Sequence, residues 1–426
     1  MRKINTIKTL KSIILLTISM LFLAACKPNS QQDNRVVIWT NSSEFAQYIE
    51  LFNSIHKDSR AILVYKDNPA LSLPPAKDEL PPDIVVGSWL RTESTQKNFK
   101  SLDYLFDTKN VTSEIFYQQL LEAGKKGHTQ YLLPVSFNLP AIIFSNENST
   151  YVTDSYTLSL EQIRKIGAEY NQKNKKEVFT RIGFTPLSND DFLYLTTKIN
   201  GVNFREEKNK ITWNPQTLLD TINLLKKWIV TENESAQTEQ DFAFKYLFMP
   251  NYRQVTSGRT LFSYTTSDDL FKTMKNQDLG IDYRWIIENK TLPIEDSFVM
   301  MGIHKKANNQ IGATEFIKWF FQSESQRKIL ERKELMNLET EQFGIAGGFS
   351  AVRDVTEHIL PVFYTQLLTN LPPAQMLTVP QKLPARWESY KSGVVEPYLK
   401  EAITNTSDST PDIIEFEKEW QKKLFD

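Results

Sequence analysis

The side chains able to do chemistry are few and scattered. The four histidines are His56, His128, His304 and His358, and no pair stands at a metal-binding spacing such as HExxH. Two SxxK tetrads occur, Ser54-Ile-His-Lys57 and Ser325-Gln-Arg-Lys328. A serine nucleophile activated by lysine uses that spacing, but the SDN and KTG segments that complete such machinery are missing. Both tetrads fall on amphipathic helical patterns and read as solvated faces. His56 stands near the C-terminal turn of its helix, where an imidazole suits the helix dipole. There is no GxSxG elbow, no Walker-type phosphate loop and no GxGxxG. Glycine itself is scarce, 14 of 426 residues, against an ordinary usage of roughly 7%. The sequence therefore assigns no catalytic residue, no cofactor and no metal site.

Cys26 is the one cysteine, so no intramolecular disulfide and no zinc site built on paired cysteines is possible. Its context is informative. Arg2, Lys3, Lys8 and Lys11 form a positive start, and Ser12 to Ala25 is an almost wholly apolar stretch. That stretch is short of the about 20 residues a spanning helix needs, but it suits a secretory leader. It ends in Leu23-Ala24-Ala25-Cys26, with small residues for a peptidase and a thiol to accept lipid.

Removing residues 1–25 takes away four cations and no acid, so the net charge of −1 becomes −5 over 401 residues. No basic excess points to nucleic acid. Residues 26–34 are polar and read as a tether.

The elements that must position any site follow from periodicity. Arg35 to Thr40, Ala61 to Tyr65 and Asp83 to Gly87 read as strands. A helix lies between the first two, with Phe45, Ile49, Phe52 and Ile55 on one face and Ser42 or Ser43 as cap. Strand, helix, strand, loop, strand is the opening of an α/β unit with a parallel sheet. Ser159 and Gln162 are spaced as a capping box for a helix to about Gln172. Asn214-Pro215 starts a helix through Leu218, Ile222, Leu225 and Ile229. Helices are also predicted near 190–198, 268–275, 313–321, 325–334, 352–368, 384–402 and 411–425, the last capped by Thr410. Short strands are predicted at 182–185, 260–264 and 298–303. The length suits about two to three domains.

The leader resembles the bacterial lipobox, which makes Cys26 the expected lipid attachment point. The remainder, residues 35 to 425, resembles the bacterial extracellular solute-binding proteins of ABC importers, in the maltose-binding-like branch. The segments that carry the resemblance are Val36-Val-Ile-Trp-Thr40, Pro82-Asp83-Ile-Val-Val-Gly87, Tyr131-Leu-Leu-Pro-Val-Ser-Phe-Asn138 with Ala141 to Asn146, Asn214 to Leu219 with Ser257 to Phe262, and Phe298 to Lys305 leading to Ala313 to Gln326. Gly347 to Ser350 and the stretch around Pro380 to Trp387 complete them. No single motif decides; their order does.

The resemblance implies an α/β, two-lobed periplasmic-binding-protein fold of type II with a ligand cleft between the lobes. Lobe 1 would span 35–137 with a return of about 291–350. Lobe 2 would span 138–290 with a return of about 351–426. It further implies a monomer, lipid-anchored outside the cytoplasm. Such a protein captures a small solute, here expected to be a sugar, and hands it to ABC permease subunits. Candidate ligand contacts carried over by position are Thr40, Asn41, Ser43, Glu44, Trp89, Asn138, Tyr264, Thr265 and Trp387. Trp89 and Trp387 are expected to face each other across the groove, with Glu44 and Asn138 nearby. Trp39, Trp228, Trp319 and Trp420 are expected in cores instead.

The chain departs from the family where members usually carry glycine. It has Asp296-Ser297-Phe298 in one such place and Glu79-Leu-Pro-Pro82 before the third strand. Fewer glycines allow less close backbone approach to a ligand. A sensor or surface lipoprotein on the same scaffold, with a protein partner, is the competing reading. An extracytoplasmic glycosidase would need two carboxylates about 5 to 10 Å apart across the cleft.

Overall fold

The structure, a computed structural model, describes residues 34–107, 111–154, 156–208, 210–275, 277–336, 342–405 and 411–425. The leader, Cys26, the tether up to residue 33 and Thr410 lie outside the described residues.

Ten strands form two main sheets, numbered here in chain order. The first sheet holds β1 (Arg35–Thr40), β2 (Arg60–Tyr65), β3 (Ile84–Gly87), β4 (Leu133–Phe137), β9 (Val299–Ile303) and β10 (Phe349–Ser350), in spatial order β10-β4-β9-β3-β1-β2. The second holds β5 (Pro140–Ser145), β6 (Thr157–Ser159), β7 (Ser263–Thr266) and β8 (Ile281–Ile287), in order β7-β5-β8-β6. The chain thus passes from the first sheet to the second at Asn138-Leu139. It returns along residues 288–298 and leaves the first sheet again after β10. β1 pairs in parallel with β2 and β3, while β9 runs antiparallel to β3 and β4.

Val36 to Thr40 are all buried, as are all four residues of β3. Such unbroken apolar runs suit strands covered on both faces. In the second sheet the two faces separate. Ile142 and Phe144 enter one core, and Ala141, Ile143, Tyr283 and Trp285 enter the other. That alternation follows the strand period of two.

The helices used below are α1 (Phe45–Ile55), α2 (Leu160–Tyr170), α3 (Asp190–Ile199), α4 (Pro215–Asn233), α5 (Ala236–Lys245), α6 (Asn251–Thr256), α7 (Ser267–Met274), α8 (Gln310–Phe320), α9 (Ser323–Leu335), α10 (Trp387–Tyr390), α11 (Glu396–Thr404) and α12 (Ile413–Phe425). The capping box of α2 is formed: Gln162 N donates to Ser159 Oγ at 3.2 Å, and Ser159 N to Gln162 Oε1 at 2.8 Å. α1 begins at Phe45 without a side-chain cap, so the expected serine cap is absent. Leu218, Ile222, Leu225 and Ile229 of α4 are buried together, as their spacing requires. The 182–185 stretch makes only an isolated bridge, Ile182 to Thr260.

Two expected long helices are broken. Residues 352–368 contain a π turn over Val355–Ile359, and residues 384–402 one over Lys391–Val395. Pro361 and Pro397 follow these turns by two residues. Proline has no N–H for the preceding turn, and its ring crowds the carbonyl there. Local widening of the helix relieves both.

Candidate functional site

Four segments meet where the chain crosses between the sheets. Asn138, at the first crossing, donates from Nδ2 to Gly347 O at 2.8 Å and accepts at Oδ1 from Ser267 Oγ at 2.7 Å. Its carbonyl accepts from Glu295 N at 2.8 Å. Gly348 makes this possible: a Cβ there would lie 2.7 Å from Phe137 O and 3.2 Å from Asn138 Nδ2. Asn138 therefore pins the crossing, the start of α7, the returning segment and the glycine loop together. Its amide is spent on that task.

The returning segment then presents Glu295 and Asp296 side by side. Asp296 is buried, and three donors converge on it. Lys198 Nζ gives Oδ1 a bond of 2.7 Å, and the Trp387 indole N–H gives Oδ2 one of 3.0 Å. Tyr194 Oη also donates to Oδ2. Tyr194 and Lys198 lie on α3, which starts at a capping Asn189 whose Oδ1 accepts from Phe192 N at 3.0 Å. Lys198 also donates to Ile294 O at 2.7 Å.

The electrostatics follow from this packing. Burial works to raise the Asp296 carboxyl, but the Lys198 ammonium and the hydrogen bonds outweigh it and hold the group below the usual range. Glu295 has the opposite balance. Burial, with Asp296 adjacent, pushes it up to about 7 against the pull of Lys198 and Lys391. The buried Tyr194 and Tyr264 hydroxyls are raised by burial and by these acids. Burial works to lower Lys391, yet Asp191 and Glu396 hold it firmly charged. Arg91 is lowered to about 10 by burial, with Asp296 opposing, and donates to Pro380 O at 3.0 Å and Gln381 O at 3.2 Å.

Trp89 follows β3, two residues before Arg91. It is half-buried and packs against both cores. Its φ is 64°, the left-handed region that a bulky residue rarely enters. Such strain persists only where the surroundings impose it, and it concentrates at binding sites. A cavity of about 170 Å³ lies beside Asp296, between α3 and residues 378–383. A wider groove of about 760 Å³ runs between Leu71 and Ser94 on one side and Glu206, Lys210, Arg386, Tyr390 and Trp420 on the other. Small-molecule sites typically measure about 300–1,000 Å³, so the groove is in range and the inner cavity is not.

The sequence-predicted contacts divide. Tyr264 lies beside Glu295 and is buried, with Thr265 half-buried after it. Asn138 touches Glu295 through its backbone. Trp387 reaches Asp296, but its ring is fully buried in the second core, against Tyr194, Phe204 and Tyr390. The facing pair of indoles is therefore not formed. An Asp replaces the expected glycine and draws the Trp387 N–H inward.

Thr40, Asn41, Ser43 and Glu44 form a separate group at the end of β1. Thr40 is buried and its Oγ1 accepts from Ser42 N at 3.1 Å, whereas Asn41 and Ser43 are exposed. The Glu44 carboxylate is engaged by the protein's own side chains. It is buried and paired with Lys333, and it accepts from Tyr48 Oη at 2.9 Å. Lys333 also donates to Gly344 O at 3.0 Å, and Tyr48 Oη accepts from Ala346 N at 3.0 Å. Glu44 thus fastens the glycine loop.

Sequence reasoning missed Arg91, Asp191, Tyr194, Lys198, Glu295 and Lys391. One signal was present: Asp191, Tyr194 and Lys198 fall at i, i+3 and i+7, a polar stripe on one face of an otherwise apolar helix. Trp39, Trp228 and Trp319 are buried in cores, and Trp420 is half-buried against the second core. No helix among the described residues is long and apolar enough to cross a membrane, and no group of metal-ligating side chains occurs among them.

A family model described as bacterial extracellular solute-binding protein matches residues 65–336, more than half of the chain. No curated protein matches by sequence. Solved structures match the fold over nearly their whole length. The cyclic α-maltosyl-1,6-maltose binding protein from Arthrobacter globiformis is 12% identical, with TM-score 0.58, covering 92% of this chain and 98% of that one. MalE3 of T. maritima, solved with maltose bound, is 10% identical at TM-score 0.58, covering 92% and 100%. CpMnBP1 with mannotriose bound is 14% identical at TM-score 0.58, covering 91% and 99%. These likenesses show the shared maltose-binding-like fold.

Proposed function

Because the chain belongs to the bacterial extracellular solute-binding protein family, we propose that it captures a carbohydrate between two lobes and delivers it to an ABC permease. The lobes are the two sheet units joined by the three crossings, with the second unit returning after β10. The protein works as a lipid-anchored monomer outside the cytoplasm, held by acylated Cys26, and carries no chemistry of its own.

The observation that carries this reading is the meeting of Glu295, Asp296 and Tyr264 at the crossing point, with the strained, half-buried Trp89 packed against both cores. Carboxylates accept hydrogen bonds from sugar hydroxyls, and aromatic faces cover the apolar side of a pyranose. Glu295, titrating near neutrality, can also donate. The solved structures of the same fold named for maltose-type and mannose-type ligands support a sugar as the solute. The inner cavity of about 170 Å³ is too small for such a ligand, so the lobes must part to admit it.

One observation favours a second reading, a sensor or surface lipoprotein with a protein partner. Asp296 and Lys198 fill the inner cleft with the protein's own ion pair. A thermal-shift screen against oligosaccharides separates the two. A sugar at 100 times its dissociation constant stabilises by about 2.7 kcal/mol. No shift with any sugar, together with capture of a receptor ectodomain, would overturn transport in favour of the second reading.

A further inference from the structure

The second unit carries an apolar and basic projection that the ligand site does not use. α5 ends in a turn, residues 246–250, that is rigidly tied: Met249 N donates to Tyr246 O at 2.8 Å, and Gln254 Nε2 to Met249 O at 2.9 Å. Tyr246 roots the turn by packing on Phe242 at 5.0 Å, over Phe179 and Ile182. The root forces the neighbouring side chains outward. Phe244 is 78% exposed, Leu247 63% and Phe248 95%. Single exposed apolar residues are ordinary, but three within five positions form a patch.

The charges around this patch are mostly positive. From Phe242 to Ser267 the chain holds Lys245, Arg253 and Arg259 and no acid. All three cations are exposed, and none pairs with a carboxylate among the described residues. The adjoining hairpin (Gln172–Lys173 with Phe179–Arg181) adds exposed Lys175 and Lys176. Of the nearby acids, Glu177 and Glu234 are neutralised by Lys173, which leaves Asp241, bonded to Gln237, against the five cations.

We propose that this projection docks on an anionic bilayer surface, inserting Phe244, Leu247 and Phe248 while Lys245, Arg253 and Arg259 meet lipid phosphates. An apolar tip rimmed by cations is the arrangement that gains from both the acyl boundary and the negative headgroups. Long basic side chains reach headgroups while their stems follow the apolar residues inward. Docking rests on the proposed lipid anchoring at Cys26. A lipid on Cys26 lies nine residues before β1, within about 30 Å at full extension.

The test uses the full-length lipidated protein with Ser257→Cys. With Cys26 acylated, residue 257 supplies the one free thiol for an environment-sensitive dye. The protein is reconstituted in phosphatidylcholine vesicles with and without phosphatidylglycerol. Docking predicts blue-shifted emission and quenching by lipid-borne nitroxides in the anionic vesicles, both lost at high salt. Combining Lys245→Gln, Arg253→Gln and Arg259→Gln is expected to lower the docked population about 100-fold, roughly five-fold per charge. Combining Phe244→Ser, Leu247→Ser and Phe248→Ser removes the blue shift with thermal unfolding unchanged, since these side chains are exposed. Identical emission in both vesicle types overturns the proposal. So does a response that appears only when permease protein is added.

Discussion

The indole N–H of Trp387 donates to Asp296 Oδ2 at 3.0 Å, across 91 residues of sequence. This bond joins the segment returning to the first sheet to the start of α10. With Lys198 on the other oxygen, it makes Asp296 the point where three parts of the second unit are held. A glycine here would take away the carboxylate that pairs the Lys198 ammonium and accepts from the indole, leaving the ammonium only Ile294 O.

Asp296→Ala should therefore destabilise strongly. Removing one partner of a buried pair leaves the other charge uncompensated and costs about 3–5 kcal/mol. The Asp296 carboxyl is held below its unfolded value near 3.9, so its contribution is complete above that pH. It is lost as pH falls through the lower, folded value. Urea midpoints should differ widely at neutral pH and converge in strong acid. Equal midpoints at neutral pH would sink the idea.

Glu239 should produce the opposite slope. It is buried, accepts from Leu187 N at 3.0 Å and from Asn233 Nδ2 at 2.6 Å, and is pushed up to about 7 by burial. Between about 4.5 and 7 the unfolded chain loses this proton while the folded chain keeps it. Stability falls over that window, by an amount on the order of 3 kcal/mol, and then levels off. Glu295 adds in the same direction. Glu239→Gln keeps an acceptor and should flatten the fall. Urea titrations from pH 4 to 8 with an unchanged slope would contradict this.

Lys333→Ala should loosen the glycine loop and cost about 3–5 kcal/mol, because Glu44 is left buried and unpaired. Combining Lys333→Met with Glu44→Gln should recover much of that loss. A double-mutant cycle in guanidinium measures the coupling, and simple additivity would count against the pair.

Trp89→Gly separates ligand contact from backbone strain. Glycine adopts a φ of 64° freely, so the fold gains back part of the strain while the aromatic face disappears. Calorimetry with the sugar found by screening should show affinity reduced at least about tenfold, the loss of roughly 1.4 kcal/mol of stacking. Undiminished affinity would remove Trp89 from the site.

Cys26→Ala should abolish acylation. Metabolic labelling with a fatty acid checks this, and label on the variant would refute Cys26 as the lipid site.

Local chemistry was legible wherever it acts over a few residues. The runs at 36–40 and 84–87, the Ser159–Gln162 box, the α4 stripe and the order of the segments were enough for the two-sheet fold class. The serine cap of α1 was not legible, because capping competes with the packing of Phe45 and the pairing of Glu44. The two broken helices were only half legible: Pro361 and Pro397 were visible, but whether a helix stops or widens at proline depends on what it packs against.

The contacts around the candidate site were decided by the tertiary structure. Glu44 finds Lys333 across 289 residues, Tyr194 finds Asp296 across 102, and Trp387 finds Asp296 across 91. Periodicity and capping fix which residues share a face, because backbone geometry repeats every two or 3.6 residues. They carry no information about which distant carboxylate meets which amine or indole. That is decided by the order of strands in the two sheets and by the three crossings between them, which bring 138, 295, 347 and 387 to one place.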